Sequence, residues 1–229
     1  MIRPLLGLLL GIALGGGVMA APRCPVPPEF RRPHVELPPA DQVPRVMPIT
    51  SYTLALIWTP QHCHRAVRGA ESFACGNNTG MRFVLHGLWP DGEGGSWPQW
   101  CAGAPVLSRR TIAEHYCATP SPQLLQHEWA KHGTCIAGAT PDSYFDQSNR
   151  LYRSLRFPDM AKLARAPLAE SRFAEAFAAV NPGMTAENVR LNLDEQGWLQ
   201  EVWLCLDVAF RPTRCVTPAR SARAMRIRL

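Results

Sequence analysis

Two short segments of the chain hold most of the residues that could carry out chemistry. FVLHGLWPDG, residues 83–92, contains a histidine, a tryptophan and an aspartate, and HEWAKHGTC, residues 127–135, contains two histidines, a glutamate and a lysine. Histidine takes up or releases a proton near neutral pH, and an ammonium group stabilises negative charge as it develops. The two segments together favour a reaction that needs an acid, a base and a cation.

Cleavage of an RNA phosphodiester is a reaction with these requirements. A base takes the proton of the 2'-hydroxyl, which attacks the neighbouring phosphorus, and an acid protonates the 5'-oxygen that leaves. Lys131 would stabilise the negative charge of the pentavalent state. Trp89 offers a flat face on which a base can stack, and Asp91 can accept a hydrogen bond from an exocyclic amine. We therefore expect RNA as the partner, with no metal and no cofactor.

The second segment also resembles the zinc-protease pattern H-E-x-x-H, but its spacing differs. His127 and His132 are five residues apart, which places them ~140° apart around a helix and too far apart to share a metal ion. On a helix His127 shares a face with Lys131, and Glu128 shares one with His132. Glu128 and Lys131 are therefore also compatible with an exposed helix pair, or with Glu128 serving chiefly to orient His132.

The N-terminus has the pattern of a secretory signal peptide. Arg3 precedes an apolar run from Leu5 to Leu14, and small residues follow up to a cleavage point after Ala20. The run is shorter than the ~20 residues of a membrane-spanning helix. We expect residues 1–20 to be removed and the mature protein, residues 21–229, to be exported to a periplasm or secreted, with no membrane segment.

Composition favours one disulfide-stabilised domain. The net charge is +6, a weak indication of a polyanionic partner. All eight cysteines lie beyond residue 20, and an even number in an exported chain predicts four disulfides. Sequence proximity pairs Cys63 with Cys75 and Cys205 with Cys215. No feature predicts an oligomer, so a monomer is the default expectation.

The remaining elements must position the two segments. Residues 22–50 are proline-rich and predict an extended arm, whereas the arginine-rich end, residues 220–229, predicts a solvated tail. Ser108 and Ser121 are expected N-caps, and Gly133 is expected to end the second helix. Alternating apolar residues predict strands at 52–58 and 81–89 and a hairpin at 189–208 that turns at Gly197. Helical patterns cover 108–117, 121–133, 141–155 and 168–180.

FVLHGLWP and HEWAKHGTC closely resemble the two signature segments of the ribonuclease T2 family of acid ribonucleases. The identities, their order, their spacing of about forty residues and the trailing cysteine all agree. The resemblance implies an α+β fold with a central antiparallel sheet packed with several helices. It also implies an endoribonuclease of low base specificity that cleaves single-stranded RNA without a metal ion, through 2',3'-cyclic phosphates.

The resemblance also assigns a role to each residue of the two segments. His86 would be the general acid for the leaving oxygen, and His132 would be the general base for the 2'-hydroxyl. His127 would position the phosphate, while Glu128 and Lys131 would help to stabilise the transition state.

Three further substrate contacts are implied in the same way. Trp89 and Asp91 match the first base-binding site of the family. Leu124 stands where the family often has an aromatic residue of the second base site, and this departure leaves the base preference open.

The resemblance pairs Cys101 with Cys135, which leaves Cys24 with Cys117.

Two other classes of function remain as alternatives. An inactive relative would use the same scaffold to bind RNA or a protein, although such a protein should lack one of the central histidines, and this chain keeps both His86 and His132. A zinc-dependent hydrolase would lose activity in a chelator, and the histidine spacing argues against it.

Overall fold

The computed structural model describes the chain from Cys24 onward, apart from residue 25 and three short internal segments. The described residues are 24, 26–65, 73–76, 82–219 and 223–229. The predicted signal peptide, residues 1–20, lies outside them and stays a prediction. No described helix combines the length and the apolar character needed to cross a bilayer.

A four-stranded antiparallel sheet forms the centre of the fold, and a second sheet has two short strands. In chain order the strands are Ser51–Trp58 (β1), Phe83–Asp91 (β2), Leu168–Ala169 (β3), Val189–Leu193 (β4), Leu199–Asp207 (β5) and Ala224–Met225 (β6). The central sheet has the order β2-β1-β5-β4, and β3 pairs with β6. The predicted α+β class with a central antiparallel sheet is confirmed.

The two faces of this sheet differ in burial. Successive side chains of a strand point to opposite faces, and on one face Leu54, Leu56 and Leu204 are at most 1% exposed. The opposite face carries Thr53 and Trp203, which are half-buried. The alternation that predicts the strands from the sequence therefore also separates a core face from a face open to ligands.

The described residues form six α-helices, and the sequence contains recognisable capping signals for several of them. Their bounds are Thr59–Arg65 (α1), Arg109–His115 (α2), Pro122–Lys131 (α3), Pro141–Ser154 (α4), Met160–Leu163 (α5) and Glu170–Ala179 (α6). The side chains of Ser108 and Ser121 accept hydrogen bonds from backbone N–H groups of α2 and α3, as predicted. The helix expected at 168–180 begins two residues later, because Leu168 and Ala169 pair with β6.

Helices α4 and α6 supply large side chains to the core. Phe173 and Phe177 of α6 are fully buried, and Tyr144 and Phe145 of α4 are almost fully buried. The Tyr144 hydroxyl donates a 3.0 Å hydrogen bond to the carbonyl oxygen of Leu88 in β2. This bond ties α4 to the strand that carries the first signature segment.

The expectation of a solvated tail at residues 220–229 is wrong for the part that is described. Met225 is fully buried and Ile227 is 6% exposed. The indole Nε1 of Trp58 donates a 2.8 Å hydrogen bond to the carbonyl oxygen of Arg228. Apolar and basic residues alternate in this segment with the period of a strand, and the arginines that face outward conceal that pattern when only charge is counted.

The proline-rich arm is fixed to the rest of the fold at several points. Its described residues contain no helix and no strand longer than an isolated bridge between Arg45 and Gln99. The ring of Phe30 stacks on Tyr116 with 5.8 Å between centroids. Four disulfides are present, in the pairs expected from the sequence: Cys24–Cys117, Cys63–Cys75, Cys101–Cys135 and Cys205–Cys215.

Candidate active site

His86 is the extra residue of a β-bulge in β2. Ala55 of β1 pairs with Gly87, and Leu56 pairs with Leu85, so no residue of β1 lies opposite His86. A bulge bends a strand locally and re-aims the side chain of its extra residue. The imidazole consequently meets carboxylates from α3 and from β5.

The two carboxylates contact different nitrogen atoms of the His86 ring. His86 Nδ1 lies 2.7 Å from Glu201 Oε1 on β5, and His86 Nε2 lies 3.4 Å from Glu128 Oε1 on α3. Burial alone would lower the pKa of His86, but Glu128 and Glu201 outweigh burial and raise the pKa above 6.5. This histidine is held in the state that can donate a proton.

Glu128 is buried between the two signature segments and is not an exposed helix residue. Its side chain is 1% exposed, and the indole Nε1 of Trp89 donates a 2.7 Å hydrogen bond to Glu128 Oε2. Gly87 makes room for this carboxylate, because a Cβ at position 87 would lie 2.7 Å from Glu128 Cδ. Burial raises the pKa of Glu128 from 4.5 to about 7, although His86, Trp89 and Lys131 oppose the shift.

His132 is the C-cap residue of α3 and lies in an environment opposite to that of His86. Burial and the charge of Lys131 lower the pKa of His132 well below 6.5. Its ring stacks on Trp89 with 5.5 Å between centroids, and Trp89 also meets the His86 ring edge-on at 5.0 Å. One tryptophan thus separates a histidine that favours the protonated form from one that favours the neutral form.

The idea that Glu128 orients His132 through a side-chain contact is wrong. The bond between the two residues joins their backbones, with His132 N–H donating to the Glu128 carbonyl oxygen at 3.0 Å. Among the described residues, His132 Nδ1 has no hydrogen-bond partner. The carboxylate of Glu128 turns instead toward Trp89 and His86, because the bulge brings β2 close to this face of α3.

His127 and Lys131 lie one turn apart on α3, as predicted, and both line the same cleft. His127 Nδ1 is 3.5 Å from Glu36 Oε2 of the proline-rich arm, and the His127 ring meets Trp100 edge-on at 5.5 Å. Burial and Lys131 lower the pKa of His127. Burial also lowers the pKa of Lys131, so both groups are only partly solvated where they face the cleft.

The cleft has a volume of about 1190 Å³ and extends across the open face of the central sheet. Besides the residues above, it is lined by Asp91, Arg190 and Trp203. Asp91 Oδ2 accepts a 2.7 Å hydrogen bond from the Thr53 hydroxyl, and burial raises the pKa of Asp91. The guanidinium of Arg190 lies 4.6 Å from the ring centroid of Trp203.

A second cavity, of about 430 Å³, lies on the other side of His86. Leu124 of α3 lines this cavity together with Pro120 and Ser121. His86 and Glu201 line both the cleft and the cavity. The histidine therefore lies at the junction of two spaces, and Leu124 lies on the opposite side of that junction from Trp89 and Asp91.

Reasoning from the sequence missed Glu201, Arg190 and Glu36. In the strand LQEVWLCL, Glu201 occupies a polar alternate position, which is also the pattern of a solvent-facing residue. Only the pairing of β5 with β1, which in turn pairs with β2, brings Glu201 to His86. Glu36 gives no signal at all, since it lies in an arm without periodicity.

One group of described residues places three potential metal ligands together, and it lies outside the cleft. Ligand atoms of Glu114, His115 and Asp142 are within 4.8 Å of one another. Arg110 already binds both carboxylates, at 3.4 Å and 2.7 Å. Both carboxylates are thus already paired with this arginine, and we assign no metal to the group.

Relatives in two bacteria share a large part of this chain. A probable ribonuclease of Haemophilus influenzae is 35% identical over 130 residues, which make up 52% of this chain and 47% of the relative. The chain thus matches about half the length of that protein. A ribonuclease of Aeromonas hydrophila is 31% identical over 164 residues, which make up 68% of this chain and 71% of the relative.

The fold has counterparts among solved structures. Trichomaglin, described as an S-like ribonuclease, superposes with a TM-score of 0.64 over 78% of this chain and 97% of its own, at 20% sequence identity. The model of the ribonuclease T2 family matches residues 49–215, which include both signature segments and the whole central sheet. The chain belongs to the ribonuclease T2 family.

Proposed function

We propose that this protein is an exported endoribonuclease that cleaves single-stranded RNA with low base specificity, without a metal ion, through 2',3'-cyclic phosphates. The observation that carries the proposal is the opposed environment of two histidines on one cleft. Against the effect of burial, Glu128 and Glu201 raise the pKa of His86, whereas burial and Lys131 lower the pKa of His132. Below neutral pH one ring then holds a proton while the other is free to accept one, as an acid–base pair requires.

The two histidines divide the reaction between them. His132, neutral and buried at the end of α3, takes the proton of the 2'-hydroxyl, and the freed oxygen attacks phosphorus. His86 gives its proton to the 5'-oxygen as the bond from phosphorus to that oxygen breaks. The products are a 2',3'-cyclic phosphate and a free 5'-hydroxyl.

The other three catalytic candidates, all on α3, act on the phosphate. His127 and Lys131 face the cleft from one side of α3, where His127 positions the phosphate and the ammonium of Lys131 stabilises its added charge. Glu128 does not act alone: it helps to stabilise the transition state through its contacts with His86 and Trp89.

The two cavities on either side of His86 suit the two nucleosides that flank a scissile bond. In the cleft, the half-buried Trp89 would stack on the first base and Asp91 would accept a hydrogen bond from it. In the smaller cavity Leu124 offers only an apolar contact to the second base. Stacking and apolar contact tolerate most bases, which supports low base specificity.

The first test is cleavage of polymeric RNA by the purified oxidised protein in excess EDTA, beside DNA of the same sequence, with identification of the product ends. Cleavage of RNA alone that leaves 2',3'-cyclic phosphates is the expected result. RNA binding without cleavage would favour an inactive relative. Activity that appears only without EDTA would favour a metal-dependent hydrolase.

Single substitutions then test the two histidines. His86→Ala and His132→Ala should each reduce kcat/KM by roughly 100- to 10,000-fold, the range expected for loss of a general acid or base. His64→Ala, at an exposed histidine of α1, is the matched control and should retain full activity. Near-normal turnover in either of the first two variants would remove that residue from the mechanism.

Export and the monomeric state are parts of the same proposal. Four disulfides support an oxidising compartment, and the pattern of residues 1–20 supports removal of a signal peptide. N-terminal sequencing of the mature protein should begin at Ala21, and light scattering should give the mass of one chain. A protein that retains Met1 or remains in the cytoplasm would contradict export.

A further inference from the structure

Glu201 is held in place by polar partners from two strands and makes a short contact with His86. Its Oε1 lies 2.7 Å from His86 Nδ1. Its Oε2 accepts hydrogen bonds from Asn192 Nδ2 at 3.0 Å and from Trp203 Nε1 at 2.7 Å. The side chain is only 13% exposed, so the carboxylate cannot rotate away without losing three bonds.

A second bulge fixes the position of Glu201 on β5. Asn192 of β4 pairs with Glu201, and Leu193 pairs with Leu199, so Gln200 is the extra residue. The bulges at His86 and at Gln200 lie on strands separated by β1. Both residues of the contact thus depend on local departures from regular pairing, which often occur next to active sites.

We propose that Glu201 is a positioning residue for His86, and this inference rests on the proposed ribonuclease function. A carboxylate only accepts hydrogen bonds, so the ring must present Nδ1–H to Glu201. The proton that can be transferred is then on Nε2, the nitrogen that lies 3.4 Å from Glu128 Oε1, and the residue lines the cleft. Glu201 selects the tautomer, fixes the plane of the ring and favours its charged form.

The electrostatic surroundings of His86 favour Glu201 as its counter-ion at acidic pH. Burial would raise the pKa of Glu201, but its bonds to His86, Asn192 and Trp203 lower the pKa overall. Glu128 has the opposite tendency, since burial raises its pKa to about 7. Glu201 therefore keeps its charge where Glu128 takes up a proton.

Several other titratable groups also act on the charge of His86. Lys131 opposes protonation of His86, and His62, His127 and His132 each interact with His86 electrostatically. Burial lowers the pKa of each of these histidines. They add little positive charge near neutral pH, so Glu128 and Glu201 are the groups that most favour the charged form of His86.

The assigned step transfers one proton and needs no further reactant. The bond from phosphorus to the 5'-oxygen breaks, and its electron pair takes the proton from His86 Nε2. The ring becomes neutral while Nδ1–H stays bonded to Glu201. When water later opens the cyclic phosphate, Nε2 takes a proton from that water as the water oxygen bonds to phosphorus. The bond from phosphorus to the 2'-oxygen breaks, His132 returns its proton to that oxygen, and the starting state is restored.

Glu201→Gln removes the charge and keeps an oxygen that can accept from Nδ1–H. In the pH profile of kcat/KM for a dinucleotide, the alkaline limb reports the general acid, and it should move about one pH unit lower. The acid limb, which reports His132, should stay in place. Glu201→Asp keeps the charge and should return the alkaline limb toward that of the wild type. Glu195→Gln, at the exposed turn of the same hairpin, is the control.

A substrate with a better leaving group separates positioning of the acid from general damage to the fold. Uridine 3'-(4-nitrophenyl phosphate) releases a phenolate that needs no proton from His86. The factor by which Glu201→Gln lowers kcat/KM should be at least about tenfold smaller for this ester than for a dinucleotide, given the ~100- to 10,000-fold range for general acid catalysis. Equal losses on both substrates would overturn the inference.

Titration of His86 by nuclear magnetic resonance, in the full disulfide-bonded protein without substrate, distinguishes the two possible failures. Glu201→Gln should lower the pKa of His86 whether or not the protein cleaves RNA. A wild type that cleaves RNA together with an unmoved His86 titration would overturn the role of Glu201 alone. A wild type that does not cleave RNA overturns the proposed function, and the positioning role then fails with it even if the titration shifts.

Discussion

Replacement of Glu128 by glutamine should stabilise the protein above neutral pH while it impairs catalysis. Burial raises the pKa of the Glu128 carboxyl from 4.5 to about 7 in the folded protein, against the opposing effects of His86 and Trp89. The folded state thus binds this proton more tightly than the unfolded chain does. The stability that this proton contributes is fully present below pH 4.5 and is lost as the pH rises through 7.

The size of the effect follows from the two pKa values. A difference of about 2.5 pH units corresponds to about 3 kcal/mol, at ~1.4 kcal/mol per unit. Glutamine has nearly the same shape and can still accept the hydrogen bond from Trp89, but it carries no charge to desolvate. Glu128→Gln should therefore be about 3 kcal/mol more stable than the wild type at pH 8 and about equal to it at pH 4.

Urea denaturation of the oxidised protein at pH 4 and pH 8 measures this difference. Glu195→Gln is the matched control, because the same chemical change at an exposed turn should alter the free energy of unfolding by less than about 0.5 kcal/mol. Initial rates with RNA, measured on the same samples, should fall in Glu128→Gln only. Equal or lower stability of Glu128→Gln at pH 8, or the same gain at both pH values, would refute the idea of a desolvated carboxylate.

Two further predictions concern packing. Gly87→Ala should destabilise the protein by about 1–3 kcal/mol and reduce activity, because the new methyl group would displace the Glu128 carboxylate. Gly103→Ala is the control, since a Cβ there meets no atom within 4 Å, and equal stability of the two variants in urea would show that Glu128 moves freely. Met225→Ala should lower the free energy of unfolding by about 2–5 kcal/mol, because Met225 is fully buried. Leu229→Ala, at a side chain that is 59% exposed, should have little effect. Equal thermal midpoints for these two variants would favour the original interpretation of residues 220–229 as a solvated tail.

Much of the secondary structure could be predicted because its causes are local. Ser108 and Ser121 cap α2 and α3 through bonds to residues three positions later. The turn at Gly197 has a φ of 82°, a conformation that glycine adopts without steric cost. These features depend on a few neighbouring residues, so a short stretch of sequence contains all that is needed.

The predictions that failed depend on contacts between distant parts of the chain. Leu168 and Ala169 continue a helical pattern, yet they form a strand because the C-terminal segment pairs with them. Met225, which pairs with Leu168, belongs to the buried core. Pairing energy from a segment more than fifty residues away outweighs the local preference, and no local pattern reports it.

The features of the candidate site also separate into those that depend on local sequence and those that depend on distant contacts. By itself the sequence determined which residue types are present, that His127 and Lys131 share a face of α3, and that the two signature segments match one family. Only the tertiary structure decided that Glu128 turns to His86 and Trp89 rather than to His132, and that Glu201 meets His86. The physical reason is that two bulges and the strand order bring Glu201 to His86 from 115 positions away, and this contact contributes to the raised pKa that distinguishes His86 from His132.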